Sequence, residues 1–357
     1  GILSNTENLG RMIKSIKLKN FRKFKELTLN IESNIIILHG DNAKGKSSIL
    51  ESIYLITNGI SPWASTDEFI SYNQEDDPYI RIEMIIDEDC YAFFKDQSKR
   101  VFKINNHNTT PKKFFEKTAS TIFNPEQIEI LMISPSKRRD FIDEAIIISE
   151  YEYSSSLKLF RKTLRQRNAY LKRLSKNFYE KGIIARNDPQ LNFWTEEFLK
   201  LGNAIQEKRS KICNQLCTDS LKIEYIKSNK GIYLEDALEE SKKRDIATGY
   251  TNIGPHRDDW VLKNGSDIKK FGSRGEKRLA IGNLIFKKQE IVSNKIGFYP
   301  ILLLDDISSE LDIINTKKIF DLKNLDKQQT FITIIHKEDI PEKILKKTQL
   351  IDLNTLL

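Results

Sequence analysis

The chain has 357 residues, 39% of them apolar and 30% charged, with a net charge of +8. That balance describes a folded, slightly polar protein with room for two domains or one domain with an inserted lobe, and no apolar run approaches the ~20 residues that a membrane span needs. The positive charge suits an anionic partner without identifying one, and three cysteines are too few and wrongly spaced for a disulfide framework or a zinc site, which fits a reducing cytosol.

In chain order, residues 1–11 lack the apolar centre of a secretory signal and read as an added or loose tail. From Met12 to Ile31 two strands are predicted, the first carried by Ile13, Ile16 and Leu18 among lysines, the second by Leu27, Leu29 and Ile31 among polar residues. Between them lies Asn20-Phe21-Arg22-Lys23-Phe24. Spacing alone makes it a hairpin turn with a solvated charge cluster; a second reading puts Arg22 near a bound nucleotide.

Next comes Ile35-Ile36-Ile37-Leu38, a short apolar run bounded by polar residues, as a buried parallel strand reads. It leads into Gly40-Asp41-Asn42-Ala43-Lys44-Gly45-Lys46-Ser47, which fits G-x-x-x-x-G-K-[ST], the phosphate-binding loop. Ser48 to Leu55 follows with apolar residues at helical spacing. In such a loop Gly40 and Gly45 let the backbone turn and bring N–H groups onto phosphates, and the helix start adds partial positive charge. Lys46 is expected on the β- and γ-phosphates of ATP and Ser47 on Mg²⁺. The competing reading is a surface turn rich in Gly and Lys.

Runs at Ile80–Met84, Tyr91–Phe94 and Val101–Ile104 suggest an antiparallel meander. Thr121 to Gln127 reads as a short strand ending in a turn marked by Pro125. Ser134-Pro135-Ser136 announces a helix to about Ile148. Two longer helices follow as a hairpin. Leu157, Phe160, Leu164, Leu171 and Leu174 form the stripe of the first, and Trp194, Phe198, Leu201, Ile205, Ile212 and Leu216 that of the second. Each is expected to have about 25 residues, or ~40 Å at 1.5 Å per residue, which makes a lobe and not a long coiled-coil arm. Cys213 and Cys217, four apart on the second, read as packing residues.

After a helix at Glu235–Ile246, Gly249 to Trp260 is a loop rich in ionisable groups leading into a strand. Phe271 to Arg278 runs into a helix at Leu279–Val292, and Ser273 with Gly275 at its opening forms a second candidate anion site. One chain does not need two γ-phosphate sites, but two chains facing head to tail do. Ile301-Leu302-Leu303-Leu304-Asp305-Asp306 has the form of a Walker B strand, in which Asp305 holds Mg²⁺ and Asp306 polarises the attacking water. Ser309 to Asp312 follows, placed to act across such an interface. Thr330–Ile335 reads as a last buried strand that delivers His336 toward a γ-phosphate.

Strand, phosphate loop, long insertion, serine–glycine signature, Walker B strand and histidine together resemble the ATP-binding-cassette heads of the SMC class. More narrowly, the chain is similar to the bacterial RecF family of recombination mediators. The segments that carry this are Leu18 to Arg22, Gly40 to Ser47, Phe123 to Glu126, Ser134 to Arg139, Gly254-Pro255-His256-Arg257-Asp258-Asp259, Phe271 to Arg278, and Leu302 to Asp306 with Ser309 to Asp312. They run in family order from Met12 to the C-terminus. The resemblance implies an α/β fold, an ABC-type, SMC-head-like P-loop ATPase domain (12–135 and 245–357) with an inserted α-helical lobe (136–244). It implies Lys46, Asp306 and His336 as catalytic residues. Gly40, Asp41, Asn42, Ala43, Lys44, Gly45, Lys46, Ser47, Arg22, Ser273 and Gly275 would meet the nucleotide, and Ser47, Asp305 and Glu126 or Gln127 the metal or its water. Its cofactors would be ATP and Mg²⁺. Its partners would be DNA, single-stranded or duplex and often gapped, a second copy in an ATP-dependent homodimer, and mediators of the RecO and RecR type, all in the cytoplasm and away from membranes. Arg274 and Glu276-Lys277 stand where the family carries glutamines, and Gln127 where it carries aspartate. The first change either strengthens the γ-phosphate contact or alters the interface.

Other classes share part of this set. A transporter ATPase subunit has the same loop, signature and Walker B strand, but a much shorter insertion than the one between Ser47 and Phe271. A defence-system ATPase needs a nuclease domain for which no residues remain. A non-hydrolysing DNA tether differs only in turnover.

Overall fold

A computed structural model of the chain describes residues 10–41, 45–60, 78–123, 134–182, 187–306, 327–336, 338 and 342–356. The strands are β1 (Ile13–Phe21), β2 (Phe24–Asn30), β3 (Ile35–His39), β4 (Ile80–Ile86), β5 (Asp89–Lys95), β6 (Arg100–Ile104), β7 (His107–Asn108), β8 (Ser120–Phe123), β9 (Lys222–Ile226), β10 (Asp259–Asn264), β11 (Ser266–Asp267), β12 (Ile301–Leu304), β13 (Thr330–Ile334) and β14 (Gln349–Asp352). The α-helices are α1 (Lys46–Asn58), α2 (Pro111–Phe114), α3 (Pro135–Ser149), α4 (Tyr151–Lys181), α5 (Pro189–Leu216), α6 (Leu234–Thr248), α7 (Ile268–Phe271), α8 (Arg274–Ile296) and α9 (Glu342–Leu345). The chain divides into two units, residues 1–128 with 274–357, and residues 129–273.

The first unit holds two sheets. A parallel sheet runs in the order β14-β3-β13-β12-β8, and an antiparallel one in the order β2-β1-β4-β5-β6-β7. The apolar run of β3 is buried at four successive positions, so both faces of that strand are covered, as in a parallel sheet. β1 and β4 instead alternate buried and exposed residues, so one face of the antiparallel sheet meets the core and the other meets solvent. A single core joins them: Ile36, Leu38, Leu303 and Phe331 from the parallel sheet, Ile16, Leu18, Ile82 and Met84 from the antiparallel one, and Ile49, Leu50 and Ile53 from α1. Gln329 fastens the layers further, accepting from Ile13 N at 2.7 Å and donating to Ile13 O at 2.9 Å. The expected loose tail ends sooner than position 11. Gly10 N donates to Lys327 O at 2.9 Å, and Arg11 pairs with Asp87, so both residues belong to the fold.

The second unit is helical, with the small sheet β11-β10-β9. α4 and α5 run 31 and 28 residues, longer than the spacing suggested, because α4 continues past Leu174 to Lys181 and α5 starts at Pro189, ahead of Trp194. Asp188 caps α5, accepting from Gln190 N and Leu191 N at 3.0 Å, and Ser134 accepts from Lys137 N at the start of α3. The buried face of α5 is less apolar than its stripe implies, since Gln206 and Arg209 lie on it beside Ile205, Ile212 and Cys213. Arg209 is paired through two nitrogens with Asp143 of α3, each at 2.8 Å, and Tyr153 donates to the same carboxylate at 2.7 Å. Asp258, fully buried, accepts from Gln206 Nε2, Tyr225 OH and Ser228 N at 2.6–2.8 Å. Asp259 takes two bonds from Arg138, at 2.6 and 2.8 Å.

These bonds move the division of the chain. The run Gly254 to Asp259, expected in the ATPase head from residue 245 onward, is the polar centre of the helical unit, and the boundary falls at 273/274. The other boundary falls at 128/129, where 135/136 was expected. Gly254 sits at φ 139°, where a Cβ would lie 2.4 Å from the Phe198 ring, so only glycine fits.

His256 packs against the rings of Phe160 and Phe198, which also meet each other, and its Nε2 meets Thr251 O at 2.9 Å. Burial pushes its pKa down to about 4, and neighbouring Arg257 and Arg139 push the same way against Asp258. The unfolded chain therefore binds a proton that the folded one refuses between about pH 6.5 and 4, so stability is lost as pH falls through that window. Urea midpoints measured across it are expected to fall more steeply for the parent than for His256→Gln. Equal slopes would refute the assignment.

Candidate functional site

The candidate site forms where β3, β12 and β13 end side by side in the first unit. Register aligns Leu304 with Ile332 and Ile332 with Ile37, so the residues just past β12 and β3 share the carboxyl edge of the sheet. Gly40 and Gly45 have φ of 151° and 86°, backbone states that favour glycine. A Cβ on Gly45 would fall 2.6 Å from the Phe24 ring, so the glycine also allows the β1–β2 turn to press against the loop. Gly45 caps α1 without a side chain, unlike Ser134 and Asp188 on α3 and α5. The amides of the first turn of α1 are left for an anion.

Lys46 is 6% exposed. Its Nζ donates to Gly40 O at 2.5 Å and to Ile334 O at 3.1 Å. Burial pushes the ammonium below the ordinary lysine range, while Asp306, Asp305 and Asp41, in that order, oppose the shift. An incoming polyphosphate would add counter-charge in the same direction as those carboxylates. Ser47 Oγ donates to the Asp305 carboxylate, 3.1 and 3.2 Å from its two oxygens. Thr333 Oγ1 donates to Asp305 Oδ1 at 2.6 Å and accepts from Asp306 N at 2.7 Å. Asp306 itself sits at φ 49°, a left-handed state that costs an ordinary residue about 1–2 kcal/mol, and the Thr333 bond helps to hold it there.

The sheet edge thus brings together Lys46, Ser47, Asp305 and Asp306, far apart in sequence. Arg22 joins them by another route. It is not the solvated turn charge that spacing favoured. At φ 53° its guanidinium reaches α1 and pairs through Nε and Nη2 with Glu51, at 2.8 and 2.7 Å. Glu51, 2% exposed, lies one turn past Ser47. Asp41 N meets Asn354 Oδ1 at 3.4 Å near the end of the chain. His336, exposed and two residues past β13, makes no hydrogen bond to this cluster among the described residues. Arg274 opens α8, so Ser273 directly precedes its first turn and Gly275 lies within it. Asn42, Ala43, Lys44, Glu126, Gln127 and Ser309 to Asp312 lie outside the described residues.

Two functional partners were missed in the sequence: Thr333 and Glu51. Each left a trace. Thr333 is a polar residue between Ile332 and Ile334 in a strand of large apolar side chains opened by Thr330, and Glu51 is a lone charge between Ile49 and Ile53.

Ser47 Oγ and the Asp305 carboxylate are hard oxygen donors, the kind Mg²⁺ selects. Two protein ligands, completed by phosphate and water, is its usual form in nucleotide sites. The uncapped amides, the buried ammonium and this donor pair fit a nucleoside triphosphate with its metal. Among the described residues, no helix is long and apolar enough to cross a membrane.

Comparison with known proteins agrees with this geometry. The family described as RecF/RecN/SMC N terminal domain matches residues 12–354. The DNA replication and repair protein RecF of Clostridium kluyveri is 35% identical over 359 residues, covering 95% of this chain and 96% of its own. RecF of Natranaerobius thermophilus is 32% identical, with 90% of each chain covered. A solved structure of the recombination mediator protein RecF with ATP, from the RecFOR pathway, superposes with a TM-score of 0.79 at 28% identity over 94% of this chain and 95% of that one.

Proposed function

The chain belongs to the RecF/RecN/SMC N-terminal domain family and, within it, to the RecF proteins, and on that premise we propose that it is an ATP-driven switch of DNA repair that closes on DNA as a head-to-tail homodimer and opens after slow hydrolysis. The observation that carries the reading is the Ser47–Asp305–Thr333 chain of hydrogen bonds beside buried Lys46.

Each residue has a task in this scheme. The loop amides and Lys46 bind the phosphates, and Ser47 with Asp305 holds Mg²⁺. Arg22, kept in place by Glu51, stands beside the loop. Asp306 orients the attacking water and accepts its proton, and His336 contacts the γ-phosphate. When bound, ATP with Mg²⁺ supplies the γ-phosphoryl group whose loss ends the closed state. A second copy presents its Ser273 and Gly275, at the start of α8, to the same γ-phosphate, so dimerisation and occupancy are one event. From the resemblance alone, Glu126 or Gln127 serves the metal or its water. DNA lies across basic surface of the paired heads, and the RecFOR pathway named for the solved relative points to mediators of the RecO and RecR type as partners in the cytoplasm.

Light scattering with and without a gapped duplex tests the proposal. The mass is expected to double with ATP and to return to the monomer with ADP, and DNA affinity to fall steeply with salt as counterions are released. A monomer at saturating ATP would overturn the switch. Asp306→Asn is expected to dimerise normally while turnover drops by about 10²–10⁴-fold, the range for a lost general base. Turnover near the parent's would remove Asp306 from that role.

A further inference from the structure

The outer face of the antiparallel sheet takes no part in the nucleotide cluster. Cross-strand register places Lys19, Arg81, Phe94 and Val101 in one row and Lys17, Glu83, Ala92 and Lys103 in the next. Their neighbours Leu18, Ile82, Phe93 and Phe102 are buried in the core, so strand alternation turns both rows to solvent. Lys17, Lys19, Arg81 and Lys103 are exposed, while Phe94, Val101 and Ala92 are partly covered. Glu83, bonded to Arg81 at 2.8 Å, and Glu26 of β2, opposite Lys19, are the carboxylates against these cations.

Ala92 is small among long neighbours, and the missing side chain opens a recess of about 180 Å³ lined by Arg81, Ala92, Phe94, Lys99, Val101 and Lys103. The walls are apolar and aromatic, and the rim is cationic. Phe94 stacks on Tyr79 with ring centres 5.4 Å apart and planes 27° from parallel, and Lys19 Nζ lies 5.8 Å from the Tyr79 ring. The recess is too small for a drug-sized ligand, which needs about 300 Å³ or more. It suits one flat ring system whose attached group is anionic. An unpaired nucleotide has that form, and aromatic steps between basic residues are how proteins hold single strands. Duplex bases, stacked on one another, cannot enter; a duplex meets only the rim.

We infer that this face binds single-stranded nucleic acid, with one unpaired base in the Ala92 recess against Phe94 and the adjoining phosphates on Arg81, Lys99 and Lys103. The inference rests on the DNA reading above and adds the strand form and the residues that select it.

The full chain with ATP, titrated with a fluorescent oligothymidylate and with a blunt duplex, tests it. Ala92→Leu fills the recess without changing charge. It is expected to weaken oligothymidylate binding about tenfold, within the range of one lost stacked base, and to leave duplex affinity within about twofold. Lys103→Glu is expected to weaken both and to lower the salt slope. An aminopurine in the oligonucleotide, quenched when it stacks, reads the same contact in the unaltered protein. Unchanged oligothymidylate affinity in Ala92→Leu, unchanged aminopurine emission on binding, or a parent that binds duplex but no single strand would each overturn the inference. A parent that binds neither form of DNA overturns the DNA reading itself.

Discussion

Lys46→Ala is expected to abolish measurable ATP binding and, with it, ATP-dependent dimerisation. The ammonium is buried and makes two hydrogen bonds to backbone carbonyls, Gly40 O and Ile334 O. It is also the cation facing Asp41, Asp305 and Asp306, which act on it electrostatically. Without it a triphosphate would approach those three carboxylates with the buried cation between them removed. A hydrogen bond to a charged group contributes about 1.5–3 kcal/mol, and the loss of one cation bridging two phosphates should exceed a single such bond, so affinity should drop by at least ~100-fold. Isothermal titration with ATP measures it directly, and binding within threefold of the parent would refute the role. Thermal unfolding without nucleotide separates this from a folding defect.

The second large effect lies in the helical unit. Asp143→Ala is expected to destabilise that unit by about 3–5 kcal/mol, because it leaves the Arg209 guanidinium buried and unbalanced. Arg209 is 3% exposed and Asp143 2%. Burial alone would lower the arginine pKa, but pairing with Asp143 outweighs it and holds the group well above its ordinary value. Tyr153 loses its acceptor in the same variant. Urea unfolding followed by circular dichroism should show an earlier midpoint, and a shift worth under ~1 kcal/mol would contradict the pairing's role. Asp143→Leu combined with Arg209→Met should recover much of the loss, since apolar side chains of similar volume often replace a buried ion pair at little cost.

Much of the site was legible because its chemistry is contiguous in sequence. The loop from Gly40 to Ser47 and the run from Ile301 to Asp306 each join a strand pattern to functional residues within a few positions, and β3, α1 and β12 stand where those patterns placed them. What stayed hidden depends on register and packing. That Thr333 meets Asp305 follows from how β13 pairs with β12, and nothing local to Thr333 encodes that pairing. Arg22 looked solvated because its partner Glu51 lies 29 positions away, on the far side of the phosphate loop. The run from Gly254 to Asp259 carried a family signature but no mark of its structural task. Its carboxylates serve Arg138, Gln206 and Tyr225, three side chains scattered along the helical unit.

The Arg22–Glu51 clasp has a mechanical consequence. It rivets the β1–β2 turn to the helix that starts at Lys46, and Phe24 wedges against Gly45 beside it. The antiparallel sheet is thereby tied at this turn to the helix that follows the phosphate loop. A load on the β1–β2 turn therefore passes to α1 through one buried carboxylate, Glu51.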